Sequence, residues 1–174
     1  MDDLAMYIRN INDFPKKGIV FRDITTLLKD ASAFHRASQI LVDQYKDNQV
    51  EKIVCIESRG FIFGAVLASA LKAGFIPVRK PKKLPAATLR EEYALEYGTD
   101  ALEIHQDSIS PGDRVLVHDD LLATGGTVSA ACKLVEKLGG NIVGVSFLIE
   151  LNFLKGRDKL SKYNTFSLIT YSEE

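Results

Sequence analysis

Short apolar runs alternate with segments of helical periodicity along most of this chain, and this alternation limits the folds open to it. Runs rich in apolar and β-branched residues lie at 52–56, 75–78, 114–118, 142–149 and 165–171. Their apolar residues are mostly continuous, which is typical of strands buried on both faces of a parallel sheet. The sequence therefore predicts an α/β fold, with an open, mostly parallel sheet flanked by helices.

The segments between these runs carry helix signals. Asp30 is a predicted N-cap, because helically spaced apolar residues follow it as far as Tyr45. Helical patterns also cover residues 60–72, which Gly74 would end, and residues 127–138. At the N-terminus, residues 2–10 are predicted to form a short amphipathic helix, and an ordered loop is expected to follow it.

Composition bounds the class of protein. A chain of 174 residues fits one domain, and a formal net charge of -1 provides no basic field for nucleic acid. No apolar run approaches the roughly 20 residues that span a bilayer. Cys55 and Cys132 lie far apart in apolar stretches and are predicted to be small buried side chains. We therefore expect a soluble, cytoplasmic protein that binds neither nucleic acid nor membrane.

The most informative segment for function is residues 115–127, where an apolar run ends in two acids and a Gly- and Thr-rich turn leads into a helix. Free N–H groups and the dipole of a helix N-terminus attract anions. Gly125 and Gly126 would let the backbone approach a phosphate, and Thr124 and Thr127 add hydroxyl donors. The segment predicts a phosphate cradle.

Asp119 and Asp120 at the start of this loop do not suit a phosphate, because they carry the same charge as the ligand. They suit two neighbouring hydroxyls such as those of a ribose. A ligand that combines sugar and phosphate is thus indicated, although a plain Asp- and Gly-rich turn is the alternative. Neither the G-x-x-x-x-G-K-[ST] nor the G-x-G-x-x-G pattern occurs here, which argues against a P-loop NTPase and a dinucleotide enzyme.

The run from Asp119 to Thr127 resembles the phosphoribosyl pyrophosphate motif of the type I phosphoribosyltransferases, and its wording is similar to their adenine-specific branch. The resemblance extends over nearly the whole chain. It implies one phosphoribosyltransferase domain at residues 1–174, with a hood or lid at 80–105. It implies phosphoribosyl transfer from phosphoribosyl pyrophosphate to adenine, giving AMP and pyrophosphate in purine salvage. It assigns phosphoribosyl binding to Asp119, Asp120, Ala123, Thr124, Gly125, Gly126 and Thr127.

Pyrophosphate binding would fall to two further segments. Arg59 follows the run 52–56 beside Gly60, a place where a guanidinium can meet an anion. A dense basic run follows the run 75–78, and the resemblance selects Arg79, Lys80 and Lys83 from it. From the residues alone, these cations could also be a solvated charged surface, and Gly60 and Gly64 could serve close helix packing.

The long polar excursion at 80–105 interrupts the α/β order, as active-site lids often do. By resemblance, Glu96 within it is the acid–base residue, which takes a proton from adenine or returns one, and Tyr97 is a lid residue beside it. Closure of a lid could raise the pKa of such a carboxyl by desolvation. The residues alone do not separate Glu96 from its neighbours Glu91, Glu92 and Glu103.

The N-terminal segment 1–28 resembles the part of the family that recognises the base. Phe21 could stack on a purine, and the backbones of Val20 and Arg22 could pair with the amino edge of adenine. Leu121 would close the other face of the base. Without the resemblance, Phe21 could equally be an ordinary core aromatic.

The resemblance also implies Mg²⁺, bound mainly through phosphoribosyl pyrophosphate, and a homodimer. We name no metal ligand in the protein, since no histidine shows ligand spacing, and His118 is predicted to be a strand side chain. Three alternatives stay open. One is a phosphoribosyltransferase for another base, although Ala123 stands where hypoxanthine–guanine enzymes commonly have Asp. Another is a regulatory protein that senses phosphoribosyl pyrophosphate, although no DNA-binding domain can be recognised. The third is an inert scaffold, which would have no reason to keep Glu96 together with the full anion site.

Overall fold

A computed structural model describes residues 4–94 and 98–173 of the chain. The strands are β1 (Arg9–Ile11), β2 (Phe21–Asp23), β3 (Lys52–Ile56), β4 (Gly74–Val78), β5 (Thr88–Ala94), β6 (Thr99–His105), β7 (Arg114–Leu122), β8 (Asn141–Leu151) and β9 (Thr165–Tyr171). The α-helices are α1 (Thr25–Lys29), α2 (Ala31–Tyr45), α3 (Gly60–Leu71) and α4 (Gly126–Lys137), and the 3₁₀ helices are Leu4–Tyr7, Asn152–Leu154 and Gly156–Leu160.

The central sheet has five parallel strands in the order β4-β3-β7-β8-β9. This confirms the predicted α/β fold with an open parallel sheet. Parallel strands end at one common edge, so the segments that follow β3, β4 and β7 lie together there. Those segments carry Arg59, the basic run and the phosphate cradle.

Helices cover both faces of the sheet. One face packs against α2 and α3 through Ile53, Leu116 and Leu148, and the opposite face packs against α4 through Val54, Val117 and Val145. Helix α2 begins as predicted, because the Asp30 side chain accepts a hydrogen bond from the Ala33 N–H. Cys55 and Cys132 are both free and buried, as predicted.

The N-terminal prediction was wrong. In residues 4–10, the described part of the predicted helix, no α-helix forms: a 3₁₀ helix at Leu4–Tyr7 is followed by β1, and the expected loop contains β2, its antiparallel partner. Polar pairing across these strands outweighs helical spacing. The Asp23 carboxylate accepts hydrogen bonds from Arg9 and from the Thr25 N–H, and Asn10 accepts one from Arg22.

Strand β7 runs further than predicted. It was expected to end at His118, yet it continues through the two acids to Leu122, because the long strand β8 supplies ladder partners as far as Glu150. Helix α3 also ends earlier than Gly74. Its last turn closes at Lys72 in the left-handed conformation, and Gly74 already belongs to β4.

The segment at 80–105 contains an antiparallel hairpin of β5 and β6. Its stem is fastened to α4, because the Glu91 carboxylate binds Lys133 at 3.2 Å and Lys137 at 2.6 Å. Leu102 and Ile104 of the hairpin join the core on the α4 side of the sheet. None of the helices formed by the described residues is long and apolar enough to cross a membrane.

Candidate functional site

The turn between β7 and α4 forms a small cavity of about 80 Å³, lined by backbone and side chains from Leu121 to Val128. Gly125 has a φ of +76°, a conformation that favours glycine, and it is the N-cap of the twelve-residue helix α4. The first turn of α4 therefore directs its free N–H groups toward this cavity, beside Thr124 and Thr127. The geometry suits a phosphate.

Gly156 supports this turn from behind and was missed by the sequence analysis. A Cβ on Gly156 would lie 2.1 Å from the carbonyl oxygen of Ala123, and one on Gly125 would lie 2.4 Å from the carbonyl oxygen of Gly156. The two backbones are thus in direct contact. Arg157 fixes the supporting segment, because it donates to the buried Glu150 at 3.0 Å and to the Thr165 carbonyl at 2.7 Å.

The acid pair lies in the last part of β7. The Asp119 carboxylate accepts a hydrogen bond from the Asp120 N–H at 2.9 Å, and Arg59 approaches Asp120 to 2.7 Å. Burial and the neighbouring Asp120 charge raise the pKa of Asp119 well above its ordinary value. Burial also raises the pKa of Asp120, although Arg59 opposes that rise. Both carboxyl groups therefore hold a proton more readily than the carboxyl of a solvent-exposed Asp does.

Glycines bring the loop after β3 against this pair. A Cβ on Gly60 would lie 2.8 Å from Oδ1 of Asp119, and one on Gly64 would lie 2.1 Å from the sulfur of Cys55. Both positions therefore serve close packing of α3 on the sheet. This packing places Arg59, the residue before α3, directly beside Asp120.

Glu57 accepts hydrogen bonds from three residues of the basic run. No role was assigned to it from the sequence. Its Oε2 accepts from Arg79 Nε at 3.1 Å, Arg79 Nη2 at 2.9 Å and Lys83 Nζ at 3.3 Å. Its Oε1 accepts from the Lys80 backbone N–H at 2.5 Å. Burial alone would raise the pKa of this carboxyl, but these donors outweigh burial and lower the pKa below its ordinary value.

Lys80 extends its side chain to the hairpin. Its ammonium group donates to Asp100 and, at 2.8 Å, to the hydroxyl of Tyr93. Tyr93 and Asp100 stand opposite each other on β5 and β6. Sequence spacing could not reveal these contacts, because the three residues meet only when the hairpin folds across the end of β4.

These parts surround one open cleft with a volume of about 440 Å³. Its wall contains the two acids, two residues of the turn from β7 into α4 (the phosphate turn, residues 123–127), and two of the predicted cations, Arg59 and Lys80. The lining residues are Ile56, Glu57, Ser58, Arg59, Lys80, Tyr93, Asp119, Asp120, Leu121, Ala123 and Thr127. Arg79 and Lys83 are outside this lining and reach it through their shared partner Glu57.

Of the predicted base-recognition residues, Phe21 lies beside Arg59. Its guanidinium is 5.1 Å from the centre of the Phe21 ring, which is half-buried rather than enclosed in the core. Val20 is also half-buried. The Arg22 side chain is directed elsewhere, since it lies 4.1 Å over the ring of Tyr171, so only its backbone is a candidate for base contact.

Glu96 and Tyr97 lie outside the described residues. The three carboxylates that competed with Glu96 are all described, and each is already engaged. Glu91 binds two lysines of α4, Glu92 accepts from Arg90, and Glu103 accepts from the Lys82 N–H.

His118 is a fully buried side chain of β7, as predicted. Its Nδ1 lies 3.2 Å from the Ser146 hydroxyl, and its Nε2 has no hydrogen-bond partner among the described residues. Burial lowers the pKa of this imidazole to about 3, so the ring is neutral at physiological pH.

The side chains at the cleft could hold a magnesium ion only together with a bound substrate. The described residues contain no group of three side chains suited to enclose a metal. The Asp119 and Asp120 carboxylates nevertheless provide oxygen donors at the cleft, the ligand type that Mg²⁺ prefers. Substrate oxygens and water would supply the remaining coordination.

This chain is similar to known proteins both in sequence and in structure, and both comparisons indicate one family. The family model of the phosphoribosyl transferase domain matches residues 23–173. The adenine phosphoribosyltransferase of Flavobacterium johnsoniae is 58% identical over 165 residues, covering 95% of this chain and 97% of that protein.

Two solved structures extend this similarity to the fold. Adenine phosphoribosyltransferase from Thermoanaerobacter pseudethanolicus superposes with a TM-score of 0.95 at 55% identity, covering 98% of this chain and 99% of that one. The Giardia lamblia enzyme, solved in complex with 9-deazaadenine, has a TM-score of 0.93 at 37% identity and covers 99% and 98%. This chain belongs to the adenine phosphoribosyltransferase family.

Proposed function

We propose that this chain transfers the phosphoribosyl group of phosphoribosyl pyrophosphate to adenine, giving AMP and pyrophosphate in purine salvage. The cleft itself carries the proposal. It combines an acid pair and a cationic end in one space of about 440 Å³, and the phosphate cradle of about 80 Å³ adjoins this space at Ala123 and Thr127. Among related activities, Ala123 disfavours a hypoxanthine–guanine enzyme, and family relatives that share over half of the sequence are named for adenine.

The sugar half of the substrate fits the end of β7. The 5′-phosphate would occupy the turn at 123–127, on the free N–H groups of α4. Asp119 and Asp120 would accept hydrogen bonds from the two ribose hydroxyls. As the anomeric bond breaks, positive charge develops on the sugar, and these buried carboxyl groups stabilise it electrostatically.

The leaving pyrophosphate fits the cationic end of the cleft. Arg59 and Lys80 line it, and Arg79 and Lys83 stand behind them on Glu57. Mg²⁺ held mainly through phosphoribosyl pyrophosphate would neutralise part of the phosphate charge. Arg59 has to exchange its contact with Asp120 for the pyrophosphate when the substrate binds.

Adenine would lie between Phe21 and Leu121, with its amino edge toward the backbones of Val20 and Arg22. Stacking on an aromatic ring and a fixed backbone donor and acceptor suit a neutral purine. Glu96 would exchange a proton with the imidazole part of the ring, and Tyr97 would help to close the site. In this arrangement residues 1–28 select the base and residues 80–105 form the lid of a single domain at 1–174.

Replacement of Glu96 by Gln tests the acid–base assignment. We expect turnover to fall by roughly a hundredfold or more, because general acid–base catalysis contributes about that much, while phosphoribosyl pyrophosphate binding stays near wild type. Glu92→Gln, on the same hairpin, is the matched control and should keep wild-type turnover. A Glu96→Gln enzyme with wild-type turnover would remove Glu96 from the mechanism.

We also propose a cytoplasmic homodimer. The outer side of α3 leaves apolar residues exposed, among them Ile62 at 36%, and Phe75 on the adjacent edge strand β4 is 36% exposed as well. A second copy of the chain would cover this surface. Sedimentation should show a dimer for the wild type and a monomer for Ile62→Glu, and a monomeric wild type would contradict the proposal.

A further inference from the structure

Four hydrogen bonds at the cationic end of the cleft converge on a single carboxylate. Glu57 is the first residue after β3, in the loop that carries Arg59, and its side chain is only 7% exposed. Two of its hydrogen bonds come from Arg79, one from Lys83 and one from the Lys80 backbone. All three donor residues belong to the run that follows β4.

These contacts join two separate parts of the site. Residues 57–59 follow β3, whereas the run that begins at Arg79 follows β4, the neighbouring strand at the edge of the sheet. Glu57 contacts three residues of the run, and its two oxygens divide between the side chains of Arg79 and Lys83 and the backbone of Lys80. On the hairpin side, Glu103 also holds the run, through backbone hydrogen bonds to Arg79 and a side-chain bond from the Lys82 N–H. The Glu57 carboxylate thus links the cationic side chains of the run directly to the loop that carries Arg59.

Long cationic side chains need such an anchor when their ligand is absent. Free Arg and Lys side chains sample many rotamers, and ordering them upon binding weakens the complex. Arg79 is held through two nitrogens of its planar guanidinium, which fixes both its position and its orientation. The remaining nitrogen, Nη1, makes a contact of 3.4 Å with the Lys83 carbonyl oxygen.

We propose that Glu57 is a positioning residue for the pyrophosphate half of the substrate. It does not touch the pyrophosphate, which carries the same charge. It holds Arg79 and Lys83 at the cleft edge and fixes the backbone of Lys80, so that an arriving pyrophosphate meets cations already in place. This inference rests on the proposed function, because it requires a pyrophosphate at this end of the cleft.

The test compares Glu57→Gln with the wild-type protein. Glutamine keeps the shape of the side chain and an acceptor for the Lys80 N–H, but it removes the charge that holds Arg79 and Lys83. We expect the dissociation constant for Mg²⁺–pyrophosphate, measured by calorimetry, to rise on the order of tenfold, as hydrogen bonds to charged groups imply. The KM for phosphoribosyl pyrophosphate should rise in parallel, while the KM for adenine stays unchanged.

Two further variants separate positioning from general damage. Glu136 is a carboxylate outside the cleft that likewise accepts hydrogen bonds, one from Lys162 and one from Tyr163. Glu136→Gln is therefore the matched control. It should leave both binding constants unchanged. Glu57→Asp keeps the charge on a shorter side chain, so its pyrophosphate affinity should fall between wild type and Glu57→Gln, and it carries the comparison if the Gln variant does not fold.

Three results would overturn the proposal. Wild-type pyrophosphate affinity in a folded Glu57→Gln protein would show that the cations need no anchor. Tighter binding would show that Glu57 competes with the ligand, and an equal rise in both KM values would show a general structural defect. The binding of pyrophosphate is measured without turnover. A wild-type protein that forms no AMP would therefore refute the proposed function, while the pyrophosphate affinities of the variants could still be compared.

Discussion

His118 occupies a position where burial costs stability. The imidazole lies within the sheet beside Ser146, and its second nitrogen has no partner among the described residues. An unsatisfied buried polar atom is costly, and so is a titratable group that cannot take up its proton in the folded state. His118 immediately precedes the acid pair, so its only evident effect there is to keep a neutral, polar side chain behind the site.

Replacement of His118 by Val should change how stability depends on pH. The pKa of His118 is lowered to about 3 in the folded state, so its contribution to stability is present above the unfolded pKa of about 6.5 and is lost as the pH falls. By pH 5 this loss amounts to about 2 kcal/mol in the wild type and is absent from His118→Val.

Urea unfolding at pH 8 and pH 5 measures this difference. His35 and His105 remain in both proteins, so they contribute equally and cancel in the comparison. The same loss of stability between the two pH values in both proteins would contradict the buried, neutral state of His118.

The sequence predicted individual site residues that belong to short continuous motifs. Each of these motifs adjoins a strand end that the apolar pattern predicts. They are the acid pair at the end of β7 with Gly125 and Gly126 after it, and Arg59 after β3. Glu57 and Gly156 escaped notice because their partners are distant along the chain. Glu57 meets Arg79, and Gly156 meets Ala123, only after parallel strands bring their ends to one edge.

Among the elements, strand and helix types were predicted better than their ends. The pairing partner decides where a strand stops, which is why β7 continues past His118 alongside β8. The polar hairpin of β5 and β6 gave no strong apolar pattern because its residues pair with each other and with α4. Its stem is bound to α4 through the ion pairs of Glu91 with Lys133 and Lys137.

The 3₁₀ helix at Gly156–Leu160 supports the phosphate turn, and Gly156→Ala tests this element. The added methyl group would meet the Ala123 carbonyl oxygen at 2.1 Å, so the turn must shift. Overpacking of this kind costs about 1–3 kcal/mol, which predicts a lower melting temperature and a KM for phosphoribosyl pyrophosphate raised by about tenfold.

Gly74→Ala is the matched control, because its nearest neighbour at 3.2 Å is a carbon of the flexible Lys52 side chain. It should preserve both the melting temperature and the KM. A Gly156→Ala enzyme with the wild-type KM would show that the contact does not position the phosphate turn.

In the whole molecule, one topological property assembles the site. Because β3, β4 and β7 are parallel neighbours, the loops after them share an edge, and residues 57–59, 79–83 and 119–127 surround one cleft. The hairpin adds Tyr93 to the cleft wall, and β2 places Phe21 beside Arg59. The fold explains why short motifs that are separate in the sequence meet at a single cleft.

The central claim is that this cleft joins adenine to a phosphoribosyl group. The most direct measurement incubates the purified protein with phosphoribosyl pyrophosphate and Mg²⁺, separately with adenine, hypoxanthine, guanine and orotate, and follows nucleotide formation. We predict AMP from adenine and no nucleotide from the other three bases. Turnover of another base in place of adenine would contradict the base site at Phe21 and Ala123, and no turnover with any base, despite tight binding of phosphoribosyl pyrophosphate, would point to a regulatory sensor.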